Sequence, residues 1–187
     1  MKNITVIGTG YVGLVSGAGI SDFGNNVCCA DIDKEKIELL NNGVIPIYEP
    51  GLDELFKRNV KSKRLIFTDN VDDSVQSAEV IFIAVGTPED KTGNADITAV
   101  LQVAELIGKN LNNYKVICTK STVPVGTGKK IIDVINKYNQ NNIEFDYCSN
   151  PEFLREGKAV SDFLRPDRLV LGLTSKKAYD YMKDIYR

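Results

Sequence analysis

The sequence predicts an α/β fold, a doubly wound, mostly parallel sheet with helices on both faces. Three observations lead there. Apolar runs of strand length alternate with segments of helical periodicity along the whole chain. Residues 80–85 are continuously apolar, as a strand covered on both faces requires. The first apolar run empties directly into Gly8-Thr9-Gly10-Tyr11-Val12-Gly13, a glycine turn that opens a helix. With 187 residues, 43% of them hydrophobic, the chain can bury one substantial core, so residues 1–187 are expected to form one domain.

Ile4-Thr5-Val6-Ile7 is the first strand. In the turn that follows, Gly8 permits the sharp exit, Gly10 lacks the Cβ that would hold a diphosphate off the backbone, and Gly13 lets the helix lie close to the strand. The N–H groups that open the helix carry about half a positive charge and face the anion, which places Tyr11 and Val12 with the three glycines at a cofactor. The helix runs to about Phe23, and Gly24-Asn25-Asn26 turns into a second strand, Val27-Cys28-Cys29-Ala30, that ends at Asp31. A carboxylate there can accept both hydroxyls of an adenosine ribose. A 2′-phosphate about 4 Å away would be repelled by roughly 4 kcal/mol at an effective dielectric near 20. A Rossmann-type site that prefers NAD to NADP is therefore expected, with Lys34 and Lys36 the nearby cations. Asp31 could instead cap the helix that starts at Lys34, a role equally open to Asp33.

Residues 34–41 form a short amphipathic helix with Ile37, Leu40 and the following Val44 as apolar contacts, stopped by Asn42-Gly43. An extended, proline-bounded stretch over 45–51 leads to a helix over 52–60, and 64–68 is the third strand. After a turn and short helix from 69–73, the strand at 80–85 ends in Gly86-Thr87-Pro88-Glu89 and a polar loop. Residues 97–111 are helical, with Val100, Leu101, Ala104, Ile107 and Leu111 inward. A fifth strand at 116–118, a helix over 128–138, a sixth strand at 145–148, a last strand at 169–173 and a terminal helix from Ser175 complete the order. Right-handed crossovers gather the segments after strands one, two, four, five and six on one rim, where such sheets bind ligands.

Composition narrows the chemistry. A formal charge of -2 with no like-charge run gives no electrostatic case for nucleic acid or anionic membrane. No apolar run approaches a membrane span and no signal-peptide pattern opens the chain, so a cytoplasmic protein is expected. The four cysteines fall in or at the ends of apolar runs and read as reduced, mostly buried thiols. The absence of histidine removes serine-hydrolase triads, histidine metal sites and histidine-base dehydrogenases, and no metal is expected.

The rim segments carry a resemblance. Gly8 to Leu14, Tyr48-Glu49-Pro50-Gly51-Leu52, Val85-Gly86-Thr87-Pro88, Lys120-Ser121-Thr122-Val123-Pro124-Val125-Gly126-Thr127, Asn150-Pro151-Glu152-Phe153-Leu154-Arg155-Glu156-Gly157 and Arg165-Pro166-Asp167-Arg168 occur in this order. Together they resemble the UDP-glucose 6-dehydrogenase family of nucleotide-sugar dehydrogenases. The resemblance implies oxidation of the C6 hydroxymethyl of UDP-glucose to a carboxylate, with two NAD per turnover and a cysteine thioester. It implies that Asp31 and Lys36 meet the adenosine ribose, that Thr87 and Thr122 lie on the nicotinamide side, and that Glu156 is a further cofactor contact. Glu152, Phe153, Leu154, Arg155 and Glu156 match the segment that meets the sugar and its diphosphate. Glu152 matches the acid–base group for thioester hydrolysis, and Thr122 the residue that holds the catalytic water. The residues alone leave Glu152 equally open to a place near the N-cap of a short helix over 153–160, Thr87 and Thr122 to turn and cap roles, and Lys36 to an ordinary solvated position.

The family's nucleophilic cysteine segment, catalytic lysine and asparagine have no counterpart here, and Cys118 and Cys148 lack its context. The expectation is an isolated or truncated NAD-binding domain that binds cofactor and turns over nothing alone, from a protein that is a homodimer at full length. A GDP-mannose dehydrogenase domain and a stand-alone NAD-binding module are the alternatives. Apolar surface left by the family's missing dimer helix would favour self-association. Asp31→Ser is expected to raise the dissociation constant for NAD and narrow its gap to NADP in calorimetry; unchanged NAD affinity would refute the ribose assignment.

Overall fold

The computed structural model describes residues 1–186. Its strands are β1 (Asn3–Ile7), β2 (Asn26–Ala30), β3 (Leu65–Thr68), β4 (Val80–Ile83), β5 (Lys115–Thr119) and β6 (Phe145–Ser149). They form one sheet in the order β3-β2-β1-β4-β5-β6, parallel at every pairing. The chain starts in the middle and winds outward both ways, so the order reverses between β1 and β4 and opens a crevice beyond their carboxyl ends. The helices are α1 (Tyr11–Asp22), α2 (Lys34–Asn41), α3 (Leu52–Lys61), α4 (Val71–Ser77), α5 (Thr98–Asn110), α6 (Thr127–Tyr138), α7 (Ala159–Leu164) and α8 (Lys176–Ile185). Among the described residues no helix is long and apolar enough to cross a membrane.

Strand periodicity divides the core into two layers. Ile4, Val6, Val80, Phe82, Val116 and Cys118 face α1, α2, α3, α7 and α8. Ile7, Ile81, Ile83 and Ile117 face α4, α5 and α6. Every residue of β4 is buried, which accounts for its unbroken apolar sequence. Each such side chain contributes about 1.5–3 kcal/mol on leaving water. On α5, Val100, Ala104 and Ile107 are buried as the spacing predicts, with Leu111 closing the row and Leu101 partly covered.

Four expectations need correction. The fourth strand stops at Ile83, and Ala84 and Val85 continue beyond it into the crevice. Val44 is half exposed, because Gly43, at φ 79°, turns the chain away from the core after α2. Residues 169–173 are not a strand: Gly172 meets Ser149 in a single antiparallel bridge. The chain is held beside it by the Asn150 amide, which donates to the Val170 carbonyl at 2.9 Å, and then leaves for α8, capped by Ser175. Residues 153–158 are loop rather than helix, since Gly157 is left-handed at φ 82° and α7 begins only at Ala159.

One buried cation joins the far ends of the elements. Lys115 is fully buried, and its ammonium donates to the carbonyls of Gln76 and Ala78 and to Asn113 Oδ1, at 3.0, 2.6 and 2.9 Å. It ties the end of α4 to the start of β5. Lys115→Met is expected to take the lysine donor from the Ala78 carbonyl and Asn113 Oδ1, while Gln76 keeps the Asn112 amide, and to lower unfolding free energy by about 2 kcal/mol, read from denaturant melts.

Candidate functional site

The turn after β1 is built by close approach. Gly8 has φ 105°, and a Cβ there would lie 2.7 Å from the Ala84 carbonyl oxygen. A Cβ on Gly13 would lie 1.9 Å from the Gly8 carbonyl oxygen, so α1 can begin here only with glycine. Gly10 is different: a Cβ on it would meet nothing within 4 Å, so the mouth of the turn is open space. Gly10 is the N-cap of α1, no side chain caps it, and no acidic residue stands in the first turn. The positive end of the helix therefore faces this opening with no counter-charge from its own first turn.

Asp31 closes the other side. Its Oδ2 accepts both the backbone N–H and the hydroxyl of Thr9, each at 2.7 Å, and Oδ1 accepts the Asp33 N–H at 3.1 Å. Lys36 Nζ stands 3.7 Å from Asp31 and 3.8 Å from Asp33. Burial raises the Asp31 carboxyl, but the Thr9 and Asp33 donors and Lys36 outweigh it and hold the group below the usual aspartate range. A carboxylate offers about four acceptor positions, so three internal donors leave capacity for one strong external donor rather than two. The helix cap is Asp33, which accepts the Lys36 N–H at 3.1 Å. Lys34 turns elsewhere, 3.8 Å from Asp69. Thr9 escaped the sequence reading because the motif leaves that position unspecified.

Between these walls lies a cleft of about 450 Å³. Gly8, Gly10, Asp31 and Lys36 line its polar side, and Ile32, Val85 and Leu106 are among its apolar contacts. The loop after β4 lines it through Val85 and Gly86 and is joined beyond them to the loop after β5. The Thr87 hydroxyl donates to the Thr122 carbonyl at 2.8 Å, and the Ser121 hydroxyl donates to the Val85 carbonyl at 2.7 Å. Thr87 and Thr122 thus come together, with Ser121 as the unforeseen link.

The Glu152–Glu156 segment divides. Glu152, Phe153 and Leu154 line a second cavity of about 370 Å³ with Lys120, Arg168 and Tyr186. Glu152 accepts the Leu154 N–H at 2.5 Å, and the Arg168 guanidinium lies 5.0 Å from the Phe153 ring centre. Lys120 is buried among these groups, and burial pushes its ammonium pKa down. Arg155 points away and forms a two-pronged pair with Asp162, at 2.6 and 3.0 Å, while Glu156 is exposed. Cys118 and Cys148 are partners across β5 and β6, and both are buried. Burial pushes the Cys29 and Cys118 thiols up, away from nucleophilic reactivity.

An open glycine turn, an uncapped helix start and a carboxylate at the end of β2, all at the point where the strand order reverses, define a dinucleotide-binding domain. Residues 2–187 match the family profile described as the UDP-glucose/GDP-mannose dehydrogenase family, NAD binding domain. The chain belongs to that family and is its NAD-binding domain. It is 52% identical over 187 residues to the UDP-glucose 6-dehydrogenase TuaD of Bacillus subtilis, covering 100% of this chain and 41% of that protein. It is 49% identical to a UDP-glucose 6-dehydrogenase of Rhizobium meliloti, covering 98% of this chain and 43% of the relative. Among solved structures, a UDP-glucose dehydrogenase from Pyrobaculum islandicum superposes with a TM-score of 0.96 at 36% identity, over 100% of this chain and 44% of that one. The chain thus spans less than half the length of the relatives it matches.

The two inner glycines are expected to separate folding from binding. Gly10→Ala should leave the melting temperature within a few degrees of wild type yet weaken NAD binding about tenfold or more, because its Cβ enters only the open mouth. Gly13→Ala should lose folded protein outright. Calorimetry and thermal melts on both variants test this.

Proposed function

We propose that this chain holds NAD for an enzyme that oxidises the C6 hydroxymethyl of UDP-glucose to a carboxylate, with the sugar-nucleotide domain and the cysteine nucleophile in the rest of the protein. The observation that carries the reading is the open mouth at Gly10 between an uncapped helix start and Asp31. The diphosphate would rest on the turn of Gly8, Gly10 and Gly13 against the amides of Tyr11 and Val12. The adenosine ribose would meet Asp31, already oriented by Thr9, with Lys36 beside it. The nicotinamide end would lie toward Thr87 and Thr122, whose loops are joined. When bound, NAD accepts the hydride.

Glu152, Phe153 and Leu154 would meet the sugar at the second cavity, and the exposed Arg155 and Glu156 outside it would remain available to its diphosphate or the cofactor. Glu152 would take a proton from the water that Thr122 holds when the thioester is hydrolysed. The burial of Cys29, Cys118 and Cys148 supports a nucleophile elsewhere. Uniform cofactor binding without that nucleophile supplies no transition-state advantage, so the chain alone should turn over nothing. Relatives named as UDP-glucose 6-dehydrogenases, at 52% and 49% identity, favour UDP-glucose over GDP-mannose, for which a Pseudomonas aeruginosa dehydrogenase of known structure is 34% identical. A homodimer at full length is part of the same proposal.

Calorimetry with NAD, followed by absorbance at the NADH band with UDP-glucose added, tests the reading. Binding without NADH formation is expected. Failure to bind NAD would overturn the proposal, and sustained NADH production by this chain alone would overturn the placement of the nucleophile.

A further inference from the structure

Glu49 sits in the loop between α2 and α3, and it is buried, only 5% exposed, although it carries a charge. Its backbone is fixed by the Leu52 N–H, which donates to the Glu49 carbonyl at 3.1 Å, and by the left-handed Gly51 that follows. Its side chain reaches two distant segments. Oε2 accepts the hydroxyl of Tyr11, the first residue of α1 and the neighbour of Gly10. The same oxygen accepts the Gly157 N–H at 2.8 Å, and Oε1 accepts the Ala159 N–H at 2.8 Å. These two amides close the loop that begins at Glu152.

We infer that Glu49 is a positioning residue, whose buried carboxylate holds the glycine turn through Tyr11 and the 152–157 loop through the Gly157 and Ala159 amides, so that a nucleotide on the turn orders the loop. The inference rests on the nucleotide-binding reading of the turn and adds a route from the cofactor side to the sugar side. Hydrogen bonds to an ionised acceptor are shorter and stronger than neutral ones, so the three donors are not independent. Tyr11 cannot move without taking the carboxylate along or leaving it a donor short. Burial raises the Glu49 carboxyl, but its hydrogen bonds outweigh this and hold it below the usual glutamate range, while burial and Glu49 push Tyr11 up to about 12. At neutral pH the pair is therefore a phenol donating to a carboxylate. Whatever fixes the main chain at residues 10–13 reduces the freedom of the amides at 157 and 159, and the coupling is reciprocal.

Amide hydrogen exchange on the full 187-residue chain, with and without saturating NAD, tests this. In wild type, NAD is expected to slow exchange in peptides covering 8–14 and also 153–160, the latter by about fivefold or more. In Tyr11→Phe, titrated to saturation in its own right, protection should persist at 8–14 and vanish at 153–160. Glu49→Gln should show the same loss and faster exchange at 157 and 159 without nucleotide. Should Glu49→Gln fail to fold, Tyr11→Phe alone decides. Protection of 153–160 that survives in Tyr11→Phe would assign it to direct contact with the nucleotide and overturn the inference, as would wild-type protection confined to 8–14. Protection at neither place, with no calorimetric binding, would overturn the nucleotide reading and this one with it.

Discussion

The approach of α1 to β1 is the constraint on which the rest of the rim depends. At Gly13 the helix passes so near the Gly8 carbonyl that a single methyl would overlap it, and Gly8 is itself pressed against the backbone of Ala84. Main-chain atoms of β1, α1 and the end of β4 therefore meet without intervening side chains. Interiors packed at this density do not yield by small adjustments. The position of the helix N-terminus, and with it the place where an anion is best held, follows from backbone contact alone.

Around that fixed point the polar groups of the rim satisfy one another. Asp31 takes its donors from Thr9 and Asp33, the Ser121 hydroxyl ties the loop after β5 to Val85, and Thr87 does the same to Thr122. Each loop thus has its backbone partnered by a side chain from another, as buried polar groups require. The loop at 152–158 follows the same rule through Glu49. Apart from Asp33 to Asp31, these links are long in sequence and short in space. Each depends on the parallel sheet placing side by side the segments that it joins.

What could be read in advance divides along the same line. Strand positions and the inner face of α5 were legible because burial imposes periods of two and 3.6 on apolar residues. The role of Gly13 was legible because it depends on Gly8, a near neighbour in the chain, whereas the approach of Ala84 to Gly8 was not. Residues 169–173 misled because an apolar stretch of strand length looks the same whether it pairs along a ladder or crosses an edge once, and here a side-chain amide from Asn150 replaces the ladder. Val44 misled because a left-handed glycine redirects the chain after the helical spacing ends. Thr9, Ser121, Lys115 and the reach of Glu49 were invisible, since each acts on a partner more than twenty residues away. Segments 120–127 and 150–157 were recognisable by likeness, but the turning of Arg155 toward Asp162 was not.

The embrace of Asp31 by Thr9 has a further consequence. A free aspartate on a surface samples several rotamers and a full water shell, and a ligand that engages it must first suppress that freedom. Here the rotamer is already selected and much of the hydration is already replaced by protein donors. The fold itself fixes this carboxylate, so any donor that meets it finds the acceptor oxygens already oriented.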